Sequence, residues 1–296
     1  MTMIASIGTE IPQDLLAATG RYADPLGWNV DRDFPRAQQW LESKFARWSF
    51  SILEDWAAGA FDALGAVVFS RGDDSAQRLY YYVCELRRRG AIAGPEPLIF
   101  DVATIDRPSS EDHCIAAVRR LAERLAVSDE ALETAIVATN ARRRRTVVSA
   151  PGDRRTCLLA GTPPPDRRLH DAIERVGWNA AGPTLRDGWA RLGAPVDEAS
   201  GDPAAALGRQ VHVGITGPRG FFDRGAALAR EAQATNAAAV VLWCAEEDEA
   251  QVWHVPDQRA ALAEIDMPAL VLTRRDWTAR DAADTEITAF LRGVDA

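Results

Sequence analysis

Lysine is almost missing from this chain: Lys44 is the only one, and every other fixed cation is an arginine. Basic residues are outnumbered, with a formal net charge of -9, so the field repels a phosphate backbone and argues against a nucleic-acid partner. Long apolar runs are absent too. Nothing approaches the roughly 20 consecutive apolar residues of a spanning helix, and no membrane partner is expected. The opening "MTMIASIGTEIPQDLL" has no basic n-region and no apolar h-region, so no secretory leader and a cytoplasmic location are expected. Cysteine is sparse. Cys84, Cys114, Cys157 and Cys244 show no CxxC spacing and fall in expected helices or strands, which reads as reduced core thiols. His113, His170, His212 and His254 show no metal spacing either; His170 fits a helix surface pattern. No metal ligand is assigned to any of them.

What is present is an ordinary globular composition, 47% hydrophobic and 26% charged over 296 residues, enough for two cores. The stretch "RAQQWLESKFARWSFSILEDWAAGAF" sets Trp40, Leu41, Phe45, Trp48, Ile52 and Trp56 on one stripe of an amphipathic helix. A strand over 66–70 follows, then a helix over 75–89, a Gly/Pro break "GAIAGPEP", and an apolar run at 98–103. Two further helices come next, the second opened by Ser128 and ending in Arg142 to Arg145, whose cations read as a solvated helix end complementing the macrodipole. After "APGDR" at 150–154, read as a link, strands "TCLLAG", "WNAAG", "AAAVVLWC" and "PALVLTR" alternate with helical segments. Such alternation predicts parallel sheets with right-handed crossovers. The expected fold is α/β, with two Rossmann-like doubly wound lobes, 1–150 (carrying a helical N-terminal segment) and 151–296, and a cleft between them.

Strand-to-helix turns are the places such folds build sites. "FSRGDDS" is one; Ser70, Arg71 and Arg78 flank it, and Gly161 with Thr162 ends the first strand of the second lobe. Together with "GPRG" at 217–220, these are candidate contacts for a phosphate or a thioester oxygen.

Six segments in order, "IPQDLLAATG", "GAFDALGAVVFSRGDDSAQRLYYYVCEL", "SDEALETAIVATNARRR", "CLLAGTPPPDRRLHDAIERVGWNAAG", "ALAREAQATNAAAVVLWC" and "PALVLTRRD", resemble the 2-hydroxyacyl-CoA dehydratase and benzoyl-CoA reductase family along nearly the whole chain. The resemblance implies two Rossmann-like lobes, an iron-sulfur cluster held between them by three cysteines, and pairing of two such subunits. It also implies an ATP-hydrolysing activator that supplies low-potential electrons for dehydrating a 2-hydroxyacyl-CoA or reducing an aryl-CoA.

At the three cluster positions the resemblance breaks down. The first, after the strand and before Asp74 and Ser75, is Asp73; the second, beyond "GWNAAG", is Arg186; the third, placed by Trp253 and Pro256, is Asp248. Clusters are held by thiolates, and a guanidinium has no lone pair to offer a metal. No cofactor is therefore expected in this chain, an iron-sulfur cluster being left to a partner subunit. Arg186, bridging Asp73 and Asp248 in fork geometry, is expected to take the cluster's place; an intervening arginine lowers both acids and argues against a general acid, and no catalytic residue is assigned. The helical stretch that family members carry between the lobes is missing, which leaves a face for a partner. The leading expectation is a cluster-free subunit or paralogue, pairing with a larger cysteine-bearing homologue or with itself and contacting acyl-CoA. The alternatives are an active subunit whose cluster is bound by the partner or by other ligands, and a stand-alone acyl-CoA or small-molecule binding module.

Overall fold

The computed structural model describes residues 2–145, 153–214 and 220–295. The chain divides into two compact units, Met1–Ser149 with Trp189–Phe221, and Ala150–Gly188 with Phe222–Ala296. Each unit holds one four-stranded, all-parallel sheet flanked by helices, so the fold is α/β with two Rossmann-like lobes.

The first unit is built from β1 (Met3–Ile7), α1 (Gln13–Ala18), β2 (Tyr22–Pro25), α2 (Arg47–Ala57), β3 (Leu64–Ser70), α3 (Asp74–Arg88), β4 (Glu96–Phe100), α4 (Pro108–Leu125) and α5 (Asp129–Arg145). Its sheet runs β2-β1-β3-β4. Residues 66–70 of β3 are all buried, as expected of a central parallel strand covered on both faces. The second unit contributes β5 (Thr156–Gly161), α6 (Arg168–Arg175), β6 (Asn179–Ala181) and α7 (Leu185–Trp189). After α8 (Pro203–Val213) come α9 (Arg224–Ala234), β7 (Ala237–Ala245), α10 (Glu249–Val252), α11 (Val255–Ala263), β8 (Ala269–Arg275) and α12 (Ala283–Asp295). Its sheet order, β6-β5-β7-β8, repeats the first. In both, the chain reverses direction across the sheet between the first and third strands, the place where such folds open a crevice beyond the strand ends.

Several expectations are corrected. The striped stretch before β3 is not one helix: a 3-10 turn at Ala37–Gln39 and α2 are separated by irregular chain. Contacts with α3 hold the break, since Ser75 Oγ accepts from Ala46 N at 3.3 Å and Arg78 Cζ lies 4.2 Å from the Phe45 ring centroid. The stripe is still core: Leu41, Phe45, Trp48, Ile52 and Trp56 are buried, and Trp40 half-buried. Residues 189–214 pack with the first unit, because α8 supplies Ala204, Ala206, Leu207 and Val211 to the apolar cluster of Val118, Leu121, Leu132 and Ile136. Gly208 lets the helices touch: an added Cβ would stand 2.5 Å from Ile115 Cα and 2.8 Å from its N.

The arginine run is not wholly solvated either. Arg143 is buried and forms a bidentate pair with Asp14 of α1, at 2.8 and 2.6 Å. Residues 150–152 of the expected link lie outside the described residues.

No helix among the described residues is long and apolar enough to cross a membrane.

Candidate functional site

In the first unit the crevice edge is formed where β1 and β3 end. Gly8 has φ +98, and an added Cβ would stand 2.8 Å from Ser70 Cβ, so only glycine lets β1 leave the sheet here. Ser70 is fully buried, and its hydroxyl accepts from Gly72 N at 2.9 Å. It shapes the turn. Asp73 caps α3, its carboxylate accepting from Ala76 N at 2.9 Å, which satisfies one orphan donor of the first turn. Arg71 reaches Asp101 at the end of β4 at 2.7 Å, and His113 Nε2 lies 3.2 Å from the same carboxylate oxygen. Arg78, one turn further along α3, packs over Phe45 and lies 3.8 Å from Glu42. Its visible role is packing.

In the second unit, Gly161 has φ +97 and leaves no room for a Cβ against the Trp243 carbonyl. Thr162 follows, buried, and ties the ends of β5 and β7. Its N donates to Trp243 O at 2.8 Å, its Oγ1 accepts from Ala245 N at 3.1 Å and donates to Asp248 Oδ2 at 2.9 Å. Thr162 and Asp248, singled out separately in the sequence, are thus hydrogen-bonded neighbours. Asp248 precedes α10, and its N donates to Ala245 O at 3.1 Å.

Arg186 is exposed on α7, whose start is fixed by a reciprocal cap. Thr184 N donates to Asp187 Oδ2 at 2.9 Å and Asp187 N donates to Thr184 Oγ1 at 3.3 Å. Behind that turn lies His170, with Nε2 2.9 Å from Gly182 O. His170 is 1% exposed, which corrects its assignment to a helix surface; the 3.6-residue pattern left it ambiguous because α6 is covered on more than one side. Asp73 thus belongs to the first unit, Arg186 and Asp248 to the second. Residues 217–219 of "GPRG" lie outside the described ones.

The donor set does not suit an iron-sulfur cluster. At the three positions stand two carboxylates and one guanidinium, and among the described residues no three His, Cys, Asp or Glu side chains are grouped to hold a metal ion. Cys244, four residues before Asp248, is fully buried; burial first, then the negative charge of Asp248, pushes its thiol up to about 11. Burial pushes Cys157 to about 12 and also raises Cys114. Thiolate is the nucleophile and the ligand. With iodoacetamide at pH 8, mass spectrometry of the native protein should therefore show Cys84, the partly exposed one, alkylated first. Cys244 should react only after denaturation; equal rates would show that the β7 end opens.

Histidine enters elsewhere as well. A hollow of about 300 Å³ lies where α4 begins and α8 ends, walled by Asp106, Arg107, Glu111, Asp112 and His212. His212 Nε2 stands 3.8 Å from Asp106. Sequence reasoning passed over this grouping, because α8 itself was not foreseen.

No protein-family model matches the chain, and no characterised protein matches it significantly. The fold and the strand-end geometry define a two-lobed, Rossmann-like α/β protein.

Proposed function

We propose that the chain is a cluster-free subunit or paralogue of the 2-hydroxyacyl-CoA dehydratase and benzoyl-CoA reductase type, acting as the structural or substrate-contacting partner of an iron-sulfur-bearing subunit. The observation that carries this reading is the residue chemistry at three positions beyond strand ends: Asp73 after β3, Arg186 on α7 after β6 and Asp248 after β7, where the resembled family places thiolates. The repeated parallel sheets, β2-β1-β3-β4 and β6-β5-β7-β8, agree with a two-lobed member of that family. The buried state of Cys157 and Cys244 supports it further, since neither offers a thiolate as a substitute ligand. With no cluster of its own, the chain contributes acyl-CoA contacts or scaffolding, and the electron-transfer chemistry belongs to the partner. Arg71, just ahead of α3 and paired with Asp101, is the group best placed by charge to meet an acyl-CoA phosphate at the first unit's strand ends.

The test is anaerobic co-expression of the tagged chain with each cysteine-bearing family subunit encoded in the same genome, followed by iron and acid-labile sulfide analysis. A stable complex is expected, with iron that leaves with the partner when the two are separated. Iron retained by this chain purified alone would establish the active-subunit alternative instead. A chain that joins none of those subunits, yet binds acyl-CoA in calorimetry, would be a stand-alone binding module.

A further inference from the structure

The hollow where α4 begins and α8 ends follows from the way those helices meet. Gly208 lets α8 lie against the α4 backbone at Ile115. One turn further along α8 stands His212, and one turn back along α4 stand Glu111 and Asp112, because residues three and four apart share a helix face. With Asp106 and Arg107, just ahead of α4, they wall a space of about 300 Å³. Sites for small molecules span roughly 300–1,000 Å³, so this one admits only a small occupant.

The imidazole is the part of the wall that the fold leaves unanswered. His212 is 9% exposed, yet among the described residues neither ring nitrogen has a hydrogen-bond partner. Nδ1 is enclosed with none, and Nε2 stops 3.8 Å from Asp106 Oδ1, beyond hydrogen-bond reach. Folded proteins leave a buried donor unanswered more rarely than a buried acceptor, so the favoured tautomer holds its proton on Nε2 and keeps a lone pair on Nδ1. Nε2–H then faces the hollow as a donor, with its nearest acceptor too far to bond.

The charges divide the walls in the same way. Arg107 offers donors only, and the ionised Asp106, Glu111 and Asp112 offer acceptors only. Among the described residues, Arg107, Glu111 and Asp112 form no ion pair. A metal ion does not suit the set, since no three of the described His, Asp and Glu side chains are grouped to hold one. A plain anion would face three carboxylates, and a plain amine would leave Arg107 and the His212 donor unanswered. A molecule with an ammonium and a carboxylate on one carbon meets both halves. Pro108 and Val213 complete the wall, with apolar surface for a short side chain.

We propose that the α4–α8 hollow of the first unit binds a small free α-amino acid, its carboxylate taken by His212 Nε2–H and Arg107 and its ammonium by Asp106, Glu111 and Asp112. This site is independent of the partnership proposed above.

The experiment titrates the full chain, isotopically labelled at histidine Cε1, with glycine, L-alanine and L-serine, and follows the His212 signal, identified by its loss in His212→Gln. A saturable shift is expected. Ethylamine and propionate, which are L-alanine without its carboxylate and without its ammonium, should bind at least about tenfold more weakly, the worth of a hydrogen bond to a charged group. Arg107→Gln and Asp106→Asn should each weaken L-alanine binding in calorimetry by about tenfold or more, with the thermal midpoint unchanged because both side chains are exposed. No saturable shift with any of the amino acids overturns the site. Ethylamine or propionate binding as tightly as L-alanine overturns the zwitterion as its ligand, and undiminished binding in both variants overturns its location.

Discussion

Replacing Arg143 with alanine is expected to destabilise the first unit by about 3–5 kcal/mol, the usual cost of removing one partner from a buried ion pair. The side chains of Arg143 and Asp14 are 4% and 1% exposed, so the surviving carboxylate could not be rescued by water without local opening. The guanidinium does more than neutralise it. Nη2 and Nε donate to Leu192 O at 2.6 and 3.2 Å, and Nη1 donates to Asn140 Oδ1 at 2.9 Å. Asn140 in turn donates to Val196 O at 2.7 Å and accepts from Val196 N at 3.0 Å, while Gln13 donates to Trp189 O at 2.9 Å.

This network therefore attaches residues 189–198 to α1 and α5. Lysine should not restore the loss, because one ammonium cannot serve two carboxylate oxygens and a carbonyl in fixed directions. Asp14→Leu combined with Arg143→Met should recover most of it, since removing both charges leaves neither unpaired. Urea unfolding with unchanged m-values would measure these differences. A loss below about 1 kcal/mol for Arg143→Ala would mean the pair behaves as an exposed one.

Gly182→Ala should lower the stability of the second unit by on the order of 3 kcal/mol, through strain at positive φ and overlap with backbone. Gly182 has φ +105, and a Cβ there would overlap the Leu159 carbonyl. That oxygen belongs to β5, the strand flanked by both β6 and β7, and it cannot turn aside without loosening the sheet. Gly177 is the internal comparison: φ is +89, yet nothing stands within 4 Å of an added Cβ. Gly177→Ala reports backbone strain alone, and the difference between the two variants reports the overlap. Equal losses in chemical unfolding would show that the β6 turn yields to admit a methyl group.

Much of the architecture could be read from the residues. β3, β5, β7 and β8 are continuous apolar runs between turn residues, and α3 and α4 carry clear helical stripes, so alternation alone indicated parallel sheets. What escaped had physical causes. β1 and β2 are short, and β2 holds Asp24 and Pro25 with most of its residues on the surface, so neither shows a strand period. α8, "PAAALGRQVHV", is rich in alanine and has no sharp apolar face; its helical state is fixed by α4 packing across Gly208. Arg143 looked like its three neighbours, because the partner that buries it lies 129 positions away in sequence. At the candidate site, the residue types at Asp73, Arg186 and Asp248 were legible. The Thr162–Asp248 hydrogen bond was not, since a threonine after a strand is usually only turn chemistry.

The return of residues 189–214 to the first unit bears on how the polypeptide matures during synthesis. Domains usually complete folding in the order in which they emerge, but the α4 face built by Val118 and Leu121 stays bare until Leu207 and Val211 arrive. The amino-terminal half thus leaves the ribosome with an uncovered greasy flank and closes it only after β5 and β6 have already been made. A fragment ending near residue 150 inherits that unfinished flank and should be poorly soluble.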